Sequence, residues 1–465
     1  MTSETTPVLS RTRSSIDAIA RWRQRIGLLD HLGHGNLGDD ATLDAVMQNI
    51  KSRWPQVEII ALTMNPHDTR QRHGIPSYAI RRYWKLPPQA DKTQASETTP
   101  SEAGLRAKVK RRLSKYPLLL AVLRKTKTIA IRMPRAFFQE LSFLVESFSI
   151  VRNLDLLVIS GGGQLLDSWG GPGAFPYTIF KWVLLARLAR VKCYFINLGA
   201  GPIDHPSSKW LIKSALFFAD YISFRDGNSK ALVEKIGFKG KSEVSVDCVY
   251  GLDLCEPGTT GSPAPEHPIV GLSPMAYCDP RLYWDRNQSV YGDYIHRFAE
   301  FGTWLISRQY RLKLFSTEIS FDSQAMEELA IALKNVTGAT GSRNIMLEPV
   351  DAFQGLLSAI RSSEYIVTCR YHGVVLAHLL NKPVLAISHH HKVATLMNDM
   401  GLSDYCVDIR TFDLDLLANT FIRMVENRDK IKTRMAEKAA SYRRGLSIQF
   451  DQLFPRIQER PLKSS

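Results

Sequence analysis

Cysteine at metal-binding or redox spacing is missing from this chain. Its six cysteines (Cys193, Cys248, Cys255, Cys278, Cys369 and Cys406) are scattered over 465 residues with no C-x-x-C pair. That spacing excludes a zinc ribbon and a disulfide framework, and reads as reduced thiols in a cytosolic protein with no metal. Long apolar runs are also lacking, since Leu118–Leu123 and Val183–Leu188 are far too short to span a bilayer. The opening stretch, MTSETTPVLSRTRSS, has no signal-peptide core. The expected location is the cytoplasm.

Acidic residues are in deficit as well: 45 Asp and Glu stand against 60 Lys and Arg, a formal charge of +15. Part of the excess sits in one segment, Arg106, Lys108, Lys110, Arg111, Arg112, Lys115, Arg124, Lys125, Lys127, Arg132 and Arg135. Apolar runs interleave with these charges, as in helices that lie on anionic membranes. A solvated basic face on a helical insertion gives the same composition. No aromatic platform, helix-turn-helix or RNA-binding signature accompanies the charge, so nucleic acid is not the expected partner. An anionic donor or a lipid-phosphate-linked acceptor accounts for a basic protein equally well. Peripheral contact at the inner face of the membrane stays open.

What is present is a repeated alternation of short apolar strands and amphipathic helices. Residues 1–24 read as a flexible N-terminus. The first series, 25–255, places strands at Arg25–Leu32, Val57–Leu62, Leu154–Ser160, Lys192–Leu198, Tyr221–Phe224 and Val244–Val249. It is interrupted by a linker and basic helical insertion at about 87–150. A Pro/Gly/Ser-rich break at 256–268 precedes the second series, 269–442. Its strands are Ile269–Leu272, Arg311–Ser316, Ile345–Glu348, Tyr365–Cys369 and Pro383–Ile387. The helical stretch from Leu414 to about Tyr442 has the length to pack back on the first domain, and 443–465 reads as a tail. Two such series imply an α/β protein with two Rossmann-like parallel-sheet domains. Ligands of such sheets sit beyond the carboxyl ends of the strands, here a cleft between the domains.

Four blocks follow predicted strands. Gly33-His34-Gly35-Asn36-Leu37-Gly38 is a G-x-G-x-x-G, with Asp39 and Asp40 behind it. A dinucleotide site also needs an acid ending the second strand, and that strand ends in Thr63-Met64-Asn65. The block therefore reads as a glycine loop with Asn36, Gly38 and an aspartate facing a ligand, or as a plain capped turn. Gly161-Gly162-Gly163, with Asp167, and Gly199–Pro202 supply two further glycine loops. In Ser223-Phe224-Arg225-Asp226 the arginine is placed for an anion, or for an ion pair with Asp226 or Asp247. Cys369-Arg370-Tyr371-His372-Gly373 offers an arginine beside an acid–base histidine. The run His389-His390-His391-Lys392 does not suit a metal, because neighbours on a loop cannot all face one ion. Its ligand-facing member is Lys392.

This ordered set resembles the polysaccharide pyruvyl transferase family from about Ile26 to Asp408. The blocks that carry it are Gly35–Asp39, Asp155–Gly163 with Asp167, Gly199–Pro202, Ser223–Asp226 with Ser229, Asp247, Arg370–His372, Pro383 and Lys392. Asp40 departs from the family's glutamate, and the basic insertion departs from its length. The resemblance implies a glycosyltransferase B-like fold and transfer of the pyruvyl group of phosphoenolpyruvate to a sugar, with no cofactor. It implies donor binding by Arg225, Arg370 and His372. On this expectation His372 gives the proton and Asp39 is the base, while Asn36, Gly38, Gly162, Gly163, Asp167 and Lys392 line the acceptor side or the cleft loops. A nucleotide-sugar glycosyltransferase of the same architecture and a non-catalytic carbohydrate-binding protein are the alternatives.

Overall fold

A computed structural model of the chain describes residues 24–30, 32–33, 35–82, 133–254, 267–283 and 285–456. The expected flexible N-terminus, the basic run up to Arg132 and most of the 256–268 break lie outside the described residues, as does the end of the tail.

Thirteen strands are described, in two parallel sheets. The first orders them β3-β2-β1-β4-β5-β6-β7 and the second β10-β9-β8-β11-β12-β13. In the first, β1 (Arg25–Leu29) lies between β2 (Glu58–Thr63) and β4 (Leu156–Ser160), with β3 at Ser77–Ala79. β5 (Lys192–Leu198), β6 (Tyr221–Phe224) and β7 (Glu243–Val244) complete it. In the second, β8 (Ile269–Ser273) lies between β9 (Arg311–Leu314) and β11 (Tyr365–Thr368). β10 (Ile345–Leu347), β12 (Val384–Ser388) and β13 (Cys406–Asp408) flank them. The central strands are buried along their length; LLVIS of β4 is an example. Helices cover both faces, which is why these strands read as continuous apolar runs. Each sheet reverses its order beside its first strand, and crevices open there.

Helix α1 (Leu37–Lys51) starts where Asn36 accepts a hydrogen bond from Gly38 N through its side chain. Asp39 and Asp40 occupy its first turn, at the positive end of the helix dipole. Helices α2 (Pro66–His73), α3 (Met133–Val151), α4 (Phe175–Leu188), α5 (Pro206–Phe217) and α6 (Gly227–Lys235) follow in the first domain. The second domain holds α7 (Gln288–Ser307), α8 (Ile319–Ser342), α9 (Phe353–Arg361), α10 (Tyr371–Leu379), α11 (His391–Asp399) and α12 (Leu414–Glu426).

Two expectations need correction. The stretch Val244–Val249 is not one strand: pairing ends at Val244, and Asp247 Oδ1 accepts from Val249 N to start a 3-10 turn, Cys248–Gly251. The tail expected from 443 is helical to 453, because α13 spans Arg428–Leu453. Its apolar stripe continues through Leu446 and Phe450, both buried against the first domain. Arg53 Nε lies 2.9 Å from Asp451 Oδ1 at the same contact.

Candidate active site

The two domains touch through the loops that end their strands. Leu37 N donates to Thr317 O (3.1 Å) and Ile319 N to Gly35 O (2.8 Å), so the first glycine loop is pinned to the loop after β9. Four helices, α1, α6, α10 and α11, begin around this cleft. Their unpaired amides favour negative charge.

Arg225, just past β6, is buried, and its Nη1 donates to Asp247 Oδ2 at 3.1 Å. Asp226 Oδ2 lies 3.7 Å from Arg225 Nε and also belongs to the residue capping α6. Both ion pairs suggested for Arg225 therefore occur. From the other domain, the Tyr371 ring lies under the guanidinium, 4.4 Å from Arg225 Cζ. His372, in the first turn of α10, places Nε2 4.0 Å from the same Asp247 Oδ2. One buried carboxylate thus faces an arginine of one domain and a histidine of the other.

Lys392 comes from the first turn of α11 and donates through Nζ to Gly201 O at 3.5 Å. Among the described residues, no carboxylate lies within ion-pair distance of it. Burial pushes its ammonium down to about 8, and the charge on Arg225 adds to the effect. Arg225 is matched by Asp247 and Asp226, but its buried Nε has no hydrogen-bond partner, and with the lysine beside it this offers a site for an anion.

The glycines of the three loops explain how these side chains fit. A Cβ on Gly38 would occupy the His372 ring, and one on Gly199 would lie 2.7 Å from Arg225 Nε. At Gly163 it would meet Lys392 Nζ at 3.2 Å. Each loop gives up a side chain where one of the three charged or titratable groups enters. Gly162, at φ +62°, needs glycine for its backbone, and its carbonyl accepts from Gly199 N at 2.8 Å.

Other expected residues lie elsewhere in the arrangement. Arg370 caps α10, but Nε and Nη2 donate to the two oxygens of Asp322, both at 2.7 Å, and Nη1 lies 2.9 Å from Glu318 Oε2. Its charge is matched inside its own domain. Asp322 and Glu318, which hold it, were not singled out in sequence, and nor was Tyr371; only their places just past strand ends signal them. Asp167 Oδ2 accepts from the backbone N–H groups of Asp204 and His205 and braces the loop after β5. Asn36 is the α1 cap. Asp39 is buried beside Gly38 in the first turn of α1. Asp40 is committed to His73 Nε2 at 3.1 Å. Of the three adjacent histidines, His389 Nδ1 lies 3.2 Å from Cys369 O, and His390 Nδ1 accepts from Lys392 N. They point to different partners, as expected of neighbours on one loop.

The model of the polysaccharide pyruvyl transferase family matches residues 36–391, from the capping asparagine of α1 to the start of α11. The chain belongs to that family. It is similar to the amylovoran biosynthesis protein AmsJ of Erwinia amylovora, 22% identical over 416 residues, which are 86% of this chain and 92% of that one. Among solved structures, it is similar to the protein assigned as UDP-N-acetylglucosamine 2-epimerase in Listeria monocytogenes (TM-score 0.55, 12% identity, 92% of this chain and 94% of that one). It is also similar to MnaA of S. aureus, solved with UDP (TM-score 0.52, 12% identity, 94% and 99%). Likeness at this identity shows the fold alone: two parallel-sheet α/β domains of glycosyltransferase B-like arrangement. Family membership makes the chain a transferase of polysaccharide biosynthesis.

Proposed function

We propose that the cleft binds phosphoenolpyruvate and transfers its pyruvyl group to a sugar of an exopolysaccharide or cell-surface glycan, or of its lipid-linked precursor. The observation that carries this reading is the pair Arg225 and Lys392. They are a buried arginine and a half-buried lysine of different domains, set beside glycine loops and at helix N-termini, and phosphoenolpyruvate brings a phosphate and a carboxylate to them. Arg370, fully engaged by Asp322 and Glu318, fixes the start of α10 and hence His372, and adds field more than contact.

The chemistry follows from these positions. His372, as imidazolium near Asp247, gives a proton to the methylene carbon, which becomes a methyl group and leaves a cation at the central carbon. One sugar hydroxyl adds there, its proton passing to Asp39. The carbon–oxygen bond to phosphate then breaks, and phosphate leaves with the bonding pair. The second hydroxyl adds and passes its proton to His372, which the first step left neutral, closing the ketal. Arg225 and Lys392 hold the departing phosphate. Domain closure sets the geometry, because Arg225 and Asp39 come from one sheet and His372 and Lys392 from the other.

Incubating the chain with phosphoenolpyruvate and a panel of lipid-linked sugars should release phosphate in step with an acid-labile product of ketal mass. His372→Ala should abolish both. Near-normal turnover by His372→Ala overturns its role, and a glycoside formed from a nucleotide sugar overturns the reading itself.

A further inference from the structure

Away from the cleft, one side of the first domain is unusual in what it exposes. Helices α3, α4 and α5 lie side by side on one face of the sheet. Five Phe and Trp side chains are exposed among the described residues: Phe137, Phe138, Trp169, Trp210 and Phe217. All five belong to these helices or to the glycine-rich loop leading into α4. Phe137 and Phe138 are 65% and 66% exposed, and Leu141 and Val145 continue their stripe one and two turns along α3. On α5, Trp210 and Phe217 are 57% and 77% exposed. Monomeric soluble proteins scatter such residues, and clustering on one side marks a docking surface.

A groove of about 910 Å³ opens on the same side, lined by Phe180, Leu184, Trp210 and Phe217 and by Lys213, Lys239 and Lys241. None of these three lysines makes an ion pair among the described residues. Nearby acids are engaged. Glu140 pairs with Lys181 (3.2 Å), Asp220 accepts from Cys193 N and Glu243 from Tyr221. Glu146 is the exception on the outer side of α3. In sequence, the chain arriving at α3 carries eleven Lys and Arg between Arg106 and Arg135 and no Asp or Glu. Aromatic groups flanked by lysines match an anionic lipid interface, which takes rings at headgroup level and attracts basic side chains. The groove sets three lysines against one acid, Asp220, so what docks there is anionic.

We propose that the α3–α4–α5 face docks on an anionic membrane surface, with Phe137, Phe138, Trp210 and Phe217 inserted at headgroup depth and Lys213, Lys239 and Lys241 against lipid phosphates. No helix of the described residues is long and apolar enough to cross a membrane. Trp169 lies on the loop that runs from Gly161–Gly163 into α4, which ties this face in sequence to the cleft. The proposal does not depend on which group is transferred.

The test is co-sedimentation of the full chain with vesicles of phosphatidylcholine alone and of phosphatidylcholine with phosphatidylglycerol. The chain should pellet with the anionic vesicles, and brominated lipid should quench its tryptophan emission. The quadruple variant F137S/F138S/W210S/F217S should bind at least ~10-fold more weakly while keeping its melting temperature and its turnover of a water-soluble acceptor. Three outcomes overturn the proposal: no pelleting of the unmodified chain, pelleting that the variant retains (charge alone suffices), or a self-association in sedimentation velocity that the variant abolishes, which assigns the face to a second copy.

Discussion

Gly38 illustrates how tightly the site is specified at the level of single residues. A methyl there would take the space of the His372 ring, and the histidine would have to leave its position near Asp247. Gly38→Ala is expected to lower kcat/KM for phosphoenolpyruvate by about 100-fold, since roughly 1 Å of misplacement costs that much. Gly292→Ala, whose methyl meets nothing within 4 Å, should leave it unchanged. Lys392 makes a second prediction through pH. Its ammonium, pushed down to about 8, binds anions only while protonated. Donor binding by the free enzyme is therefore full below pH 8 and lost as pH rises through it. The kcat/KM for phosphoenolpyruvate should fall about tenfold per unit on the alkaline side. Lys392→Arg, whose charge does not titrate there, should move that fall to higher pH. An unmoved profile removes Lys392 from the donor site.

Helix α13 is where a single element joins the two domains. Gln449 reaches into the first sheet, where Nε2 donates to Asn197 Oδ1, Tyr221 and Ser223, and Oε1 accepts from Asn197 and Ser245. Gln449→Ala leaves several buried polar groups without this partner. The expected cost is about 1–3 kcal/mol, seen as a lower urea midpoint with an unchanged slope. The sequence allowed a helical stretch to pack back on the first domain but ended it at about Tyr442, so Gln449 and its partners were not legible. Only the stripe of Leu446 and Phe450 on the buried side shows that the helix continues. Strands such as Lys192–Leu198 and Tyr221–Phe224 were legible because burial on both faces leaves an uninterrupted apolar run. The helix Pro66–His73 was not, since PHDTRQRH buries little more than Thr69 and carries no periodicity. β13, Cys406–Asp408, is too short and too polar to stand out. The site divides the same way: glycine loops and strand-end charges mark themselves, whereas pairing Arg370 with Asp322 depends on a contact across 48 residues. Sequence places Arg370 at the cleft and leaves open what neutralises it.

Across the whole molecule, the domain contact is built partly from histidines kept neutral by burial, and this sets how stability responds to acid. Tyr250 of the 3-10 turn and His378 of α10, both fully buried, meet at 3.0 Å between the hydroxyl and Nδ1. Burial pushes His378 down to about 3. At the cleft His389 is held near 3 by burial and by the charge of Arg370, and His390 near 4 by burial and by Lys392. Unfolded, such groups take a proton near pH 6.5, which the folded chain refuses. Their stabilising contribution is complete above about 6.5 and is lost as pH falls towards the folded values. Each contributes a slope of about 1.4 kcal/mol per pH unit within that window. His73 behaves oppositely. Burial opposes its charge, but the hydrogen bonds its ring donates to Asp40 and Asp44 win and push it up to about 9. It is protonated in both states below pH 6, so it adds no slope there, and its contribution is lost as pH rises from about 6.5 to about 9. Urea unfolding from pH 7 down to pH 4.5 should therefore show a steep loss of stability beginning before ordinary carboxylates titrate. His378→Gln should remove about 1.4 kcal/mol per unit from that slope, whatever it does to stability at pH 7. An unchanged slope would mean that His378 takes its proton in the folded chain, and that the contact with Tyr250 opens before the domains unfold.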